Sequence, residues 1–171
     1  MQNPTFGIRH SAFGIRHSAF GILLAAVLLW PSPARADATV FIGSTMTPEN
    51  RLARGFAVGV SLLIVGFEFE YSNTSEDEER LAPGLRTGMG NVLVQLPGSF
   101  SPYGTIGAGV YRERLGELSS ETHFGSNVGG GVKIALAGPL RVRVDYRLFS
   151  LQGNPRESKS HRIYAGLNLM F

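Results

Sequence analysis

Glu68 and Glu70 stand two residues apart in Val65-Gly66-Phe67-Glu68-Phe69-Glu70-Tyr71, and Arg141, Arg143, Asp145 and Arg147 alternate with apolar residues from Leu140 to Leu148. Lys133 sits between Val132 and Ile134. A pair of carboxylates can divide general acid and general base work, which makes Glu68 and Glu70 candidates for proton transfer. On an extended chain, however, residues i and i+2 project from one face, side by side. With arginines at the same period elsewhere, the bases and acids at 68, 70, 133, 141, 143, 145 and 147 read as an internal ion-pair network. Nucleophilic chemistry has thinner support. His123 and His161 fall near strand ends with Ser126, Ser150 and Ser160 in the same stretches, but no His-x-Ser pair follows residue 36. The run Glu76-Asp77-Glu78-Glu79 offers hard oxygen ligands for a divalent cation. It lacks the spaced ligands and turn glycine of a calcium loop and reads as a solvated loop. The absence of Cys excludes thiolate metal sites and disulfides. No catalytic, cofactor-binding or metal-binding residue is expected.

The charged residues need strands to carry them. Period-two alternation marks eight segments at 39–47, 54–62, 64–73, 85–96, 102–113, 122–136, 140–151 and 161–171. No interval repeats apolar residues at helical spacing for three turns, and glycines such as Gly88, Gly107 and Gly129 oppose a helix. The expected class is all-β, an antiparallel up-and-down barrel. The connections alternate in character: those after the first, third, fifth and seventh segments are long and polar, and the other three are short. An outer-membrane barrel with both termini in the periplasm has this asymmetry of long outer loops and short inner turns. In such a barrel the apolar faces meet lipid and the charged faces point inward. A two-residue turn at Leu62-Leu63 would set Glu68 opposite Ala57 and Glu70 opposite Gly55, neither able to neutralise a carboxylate. Arg143 and Arg147 belong to the seventh segment, diametrically across the ring from the third. A turn centred on Gly138 sets Lys133 opposite Arg143, a like-charge pair that needs acids between them. The expectation is a salt-bridged plug joining Glu68 and Glu70 to Arg143, Arg147 and Lys133.

Both ends of the chain bear on export. Phe20 to Trp30 is an apolar run too short to cross a bilayer as a helix. Arg9 and Arg16 precede it, and Pro31-Ser32-Pro33 and Ala34-Arg35-Ala36 follow. This pattern predicts a signal peptide over 1–36, cleaved between Ala36 and Asp37 with Ala34 and Ala36 at the −3 and −1 positions. The heptad Phe6-Gly7-Ile8-Arg9-His10-Ser11-Ala12 recurs at 13–19, inside that segment, so its Ser and His residues would leave with it. Arg9, Arg16 and Arg35 lie before Asp37 and all 13 acids lie at or after it, so the remainder is charge-balanced and the basic pI implies no nucleic-acid surface.

The final residues, Tyr164-x-Gly166-x-x-Leu169-x-Phe171, resemble the sorting signal that outer-membrane barrels present to the barrel assembly machinery. Over 37–171 the chain resembles small eight-stranded outer-membrane proteins of the OmpA/OmpX type. The resemblance implies a monomer in the outer membrane of a Gram-negative-type bacterium, with lipid and lipopolysaccharide as neighbours and the assembly machinery as a partner during biogenesis. The peptidoglycan-binding domain of many OmpA relatives is not expected after the last strand. An eight-stranded interior is just filled by side chains, so a general diffusion pore is not expected either. The leading function is a non-enzymatic barrel serving envelope integrity or surface contact through its loops. The alternatives are a lipid A-modifying hydrolase and an exported lipocalin-like carrier with Phe67, Phe69 and Tyr71 lining an apolar calyx.

Overall fold

Alternating side chains and short turns build the wall of the molecule. The computed structural model describes residues 34–115, 118–119, 122–153, 155 and 157–171. The duplicated heptad and the apolar run from Phe20 to Trp30 lie outside them. Nine strands follow in order: β1 (Arg35–Thr45), β2 (Arg51–Leu62), β3 (Val65–Thr74), β4 (Gly84–Gln95), β5 (Phe100–Leu115), the two-residue β6 (Leu118–Ser119), β7 (His123–Ala137), β8 (Leu140–Leu151) and β9 (Lys159–Met170). Sequential strands pair antiparallel, β5 pairs β7 directly, and β1 pairs β9, which closes an eight-stranded barrel with β6 as an outlying extension of β5. The connections after β1, β3, β5 and β8 are at one end, and the short turns and both ends of the barrel chain are at the other.

The register sets the tilt. Stepping between paired residues from Thr45 through Arg162, Arg147, Gly129, Thr105, Leu93, Gly66 and Ser61 returns to β1 at Arg35, displaced by ten residues. Such a stagger inclines the strands by about 40° to the axis and leaves a lumen only side chains can occupy. Two turns depend on left-handed backbone. Gly138 has φ 53° in the β7–β8 turn, where glycine carries no steric cost, whereas Leu63 takes φ 55° in the β2–β3 turn. That second turn is Leu63-Ile64, with Leu62 paired to Val65, rather than Leu62-Leu63. A turn displaced by one residue moves every partner by two, so Glu68 lies opposite Gly59 and Glu70 opposite Ala57. Because the shift is even, both glutamates keep their face.

The two faces of the wall are chemically inverted relative to a soluble barrel. Val40, Phe67 and Ile106 are more than half exposed on the outside, while Arg143, Arg147 and Glu70 are wholly buried inside. Water outside would leave a continuous apolar surface unpaired and would gain nothing from the buried charges; hydrocarbon outside satisfies both. Phe67, Phe69 and Tyr71 face outward. They cannot line an internal calyx, and the lipocalin-like alternative is overturned.

Candidate functional site

Alternation that turns Phe67 and Phe69 outward turns Glu68 and Glu70 inward from β3, and the same rule brings Arg143, Asp145 and Arg147 inward from β8 and Arg162 from β9. Arg147 and Arg162 are direct register partners, as are Lys133 and Arg143. Like charges so placed repel unless anions intervene. Glu70 reaches across the lumen and intervenes: its Oε1 accepts from Arg162 Nη2, and its Oε2 lies 3.1 Å from Arg147 Nη1. Glu68 accepts from Arg143 Nη1 at Oε2, and at Oε1 from Arg143 Nη2 at 3.2 Å and Arg147 Nη2 at 3.0 Å. Asp145 completes the lattice from within β8, accepting from Arg147 Nε at 3.0 Å and Arg143 Nη2 at 3.1 Å. Three guanidiniums thus face three carboxylates, so the layer is neutral as well as buried.

Aromatic rings frame this layer. The Tyr103 hydroxyl donates to Asp145 Oδ2 and accepts from Arg143 Nε at 2.7 Å. The Arg143 guanidinium lies 5.0 Å from the Tyr103 ring centroid and Arg162 lies 4.6 Å from that of Phe149, distances at which a cation is attracted to a ring face. Gly131 makes room for Tyr103, because a Cβ there would come within 2.7 Å of the Tyr103 hydroxyl. Toward the loops the lumen becomes apolar, with Leu85, Met89, Tyr111, Phe149 and Leu151 packed together. Toward the turns it is polar again, with Asn168 donating to Thr39 at 2.8 Å and Lys133 paired to Asp37 at 2.5 Å.

The structure therefore brings together Glu68, Glu70, Arg143, Asp145 and Arg147 and separates two others from them. Lys133 lies nearer the turn end, where Asp37 of β1 is its partner instead of Glu68 or Glu70. Arg141, half-buried at the same end, reaches only Ser101 Oγ at 3.5 Å and has no ion-pair partner among the described residues. Sequence reasoning missed Arg162 and Tyr103 and gave Asp37 only as the residue after the expected cleavage point, although the alternation of Arg162 and Tyr164 with Ile163 and Ala165 marks Arg162 as inward. Of the expected cleavage residues, Ala34 precedes β1, while Ala36 lies within it and exchanges two backbone hydrogen bonds with Phe171, at 2.8 and 2.9 Å. In the terminal motif, Leu169 and Phe171 are exposed on the outside, Gly166 is opposite Phe41, and Tyr164 is buried in the lumen, stacked on Phe41 with centroids 4.1 Å apart.

The other candidate groups are dispersed. His161 Nδ1 is 2.6 Å from the Tyr146 hydroxyl on the outer wall, and His123 packs beside Tyr111. Neither histidine is hydrogen-bonded to a serine among the described residues. In the acidic loop, Arg80 lies 3.9 Å from Asp77 and 3.5 Å from Glu49.

This inverted barrel agrees with what is known of other chains. Neisserial surface protein A superimposes with a TM-score of 0.63 at 18% identity, over 81% of this chain and 96% of that one. The N-terminal β-barrel domain of Pseudomonas aeruginosa OprF gives 0.61 at 12% identity, over 80% and 97%. The outer membrane enzyme PagL gives 0.50 at 15% identity, over 78% and 98%. At these identities the likeness is one of fold. No curated protein sequence matches the chain. Residues 38–171 match the model of the outer membrane protein beta-barrel domain, and the chain belongs to that family.

Proposed function

We propose that this protein is a closed outer-membrane barrel that neither conducts nor catalyses, and that acts through its outer wall and loops in envelope integrity or surface contact. One observation carries the reading: the lumen is crossed by a neutral lattice of three arginines and three acids, with Arg143, Arg147 and Glu70 fully buried. A conducting path would require these charges to part, and each partner left behind would be a buried charge without its counter-ion. The separation of His123 and His161 from serine hydroxyls argues against the lipid hydrolase alternative, and the likeness to PagL, at 15% identity, is one of fold. The test is planar-bilayer recording of the refolded protein, with the same material assayed for deacylation of purified lipid A. No steady conductance and no deacylation are expected. Stable wild-type channels, or turnover abolished by substitution of a histidine, would replace this reading.

A further inference from the structure

The outer wall distributes its charge unevenly. Among the described residues, the charged side chains that the barrel strands project outward are Arg54, Arg86, Arg112, Arg114 and Lys159; all are basic, and all lie toward the loop end. Arg54 of β2 and Arg86 of β4 flank Asn73 of β3 in a single register row. Neither arginine has an ion-pair partner among the described residues. Neighbouring strands are about 4.8 Å apart, so the two guanidiniums are anchored about 10 Å from each other with an amide donor between them.

What lies beneath this row gives it meaning. On the same three strands the outward surface falls into a trough of about 480 Å³, lined by Val58, Val60, Phe67, Phe69, Gly90 and Val92. Gly90 contributes no side chain, and an added Cβ there would find its nearest neighbour at 3.8 Å, so the trough is open at that point. Val58 is four residues below Arg54 along β2, and Gly90 four below Arg86 along β4, a drop of about 13 Å in each case. The Phe56 and Tyr71 rings, 5.8 Å apart, lie between the cation row and the trough, so the wall below the arginines and amide is apolar throughout, complementary to a lipid whose chain lies along the wall and whose anionic head sits at the boundary. A carboxylate or phosphate monoanion would need one arginine. Two unpaired arginines separated by an amide match a head group bearing more than one phosphate, since guanidinium forms bidentate bonds with phosphate oxygens.

We infer that Arg54, Asn73 and Arg86, with the trough below them, form a binding site for a phosphorylated glycolipid of the outer leaflet. This deepens the function proposed above and rests on its assignment of the outer wall to lipid. Native mass spectrometry of the detergent-refolded, heat-modifiable protein tests it, with purified diphosphoryl lipid A, its dephosphorylated form and inorganic phosphate as probes. Wild type should retain one diphosphoryl lipid A, and R54Q/R86Q should bind it about tenfold more weakly or worse, as should wild type the dephosphorylated form. Gly90→Leu, which fills the trough, should also lower retention, whereas Arg80→Gln in the loop should not. Equal retention by wild type and R54Q/R86Q would overturn the site. Binding of inorganic phosphate alone with indifference to Gly90→Leu would overturn the lipid and leave a free-anion site. A barrel that conducts yet holds the lipid would sink the closed-barrel reading alone; a silent barrel indifferent to the lipid would sink this one alone.

Discussion

The middle of the lumen and its loop end fill the same cylinder with opposite materials. In the middle, Arg143, Arg147 and Arg162 meet Glu68, Glu70 and Asp145; toward the loops, Leu85, Met89, Tyr111, Phe149 and Leu151 pack against one another. Each layer is buried, but they respond differently to change. Apolar contacts have no fixed partner, so an altered side chain is accommodated in proportion to the volume it leaves or adds. The lattice has named partners at fixed angles, and losing one member leaves a buried charge with nothing opposite it. Arg162 joins the two layers, paired to Glu70 on one side and lying over the Phe149 ring on the other.

Substitutions can break this contrast. Arg147→Met keeps much of the chain length but removes the guanidinium shared by Glu68, Glu70 and Asp145. It should cost about 3–5 kcal/mol. The urea midpoint of the barrel refolded in vesicles measures it, and a loss below about 1 kcal/mol, the value of an exposed pair, would mean that water enters the layer. Tyr103→Phe keeps the ring and deletes a hydroxyl that both donates to Asp145 and accepts from Arg143. A loss of about 1–3 kcal/mol is expected in the same assay, because both partners stay buried. Met89→Leu, in the apolar layer, should cost less than about 1.5 kcal/mol. If it proved as damaging as Arg147→Met, the loop end would be the more demanding layer and the comparison would reverse.

Strand number, face and loop side were legible because each follows from period two or from connection length. Every charged residue of the lattice that sequence singled out on β3 and β8 is inward, since parity survives an error of two in register. The register itself was not legible. Nothing in Leu62-Leu63-Ile64 marks which pair turns, because the left-handed position is taken by Leu63, a residue with no special preference for it. Partner identity was hidden for a related reason. Whether Lys133 meets Glu68 or Asp37 depends on the height of each on the tilted wall, and the stagger of ten residues is fixed only when β1 and β9 meet. Tyr103 escaped notice because inward aromatics are invisible to a rule that sends apolar residues outward; its hydroxyl makes it a polar lumen residue.

The seam between β1 and β9 has a consequence for the order in which the protein can be made. It joins the first barrel strand to the last, and its Asn168–Thr39 hydrogen bond spans 129 residues of sequence. Neighbouring hairpins are local and cheap in chain entropy, whereas this closure is the longest loop the chain can draw shut. The two sides of the seam also carry the residues that finish the interior, Asp37 for Lys133 and Arg162 for Glu70. A growing chain that has delivered every strand but the last therefore holds Glu70 without Arg162 and has no ring. Assembly is in this sense a zipper whose final tooth is also its first.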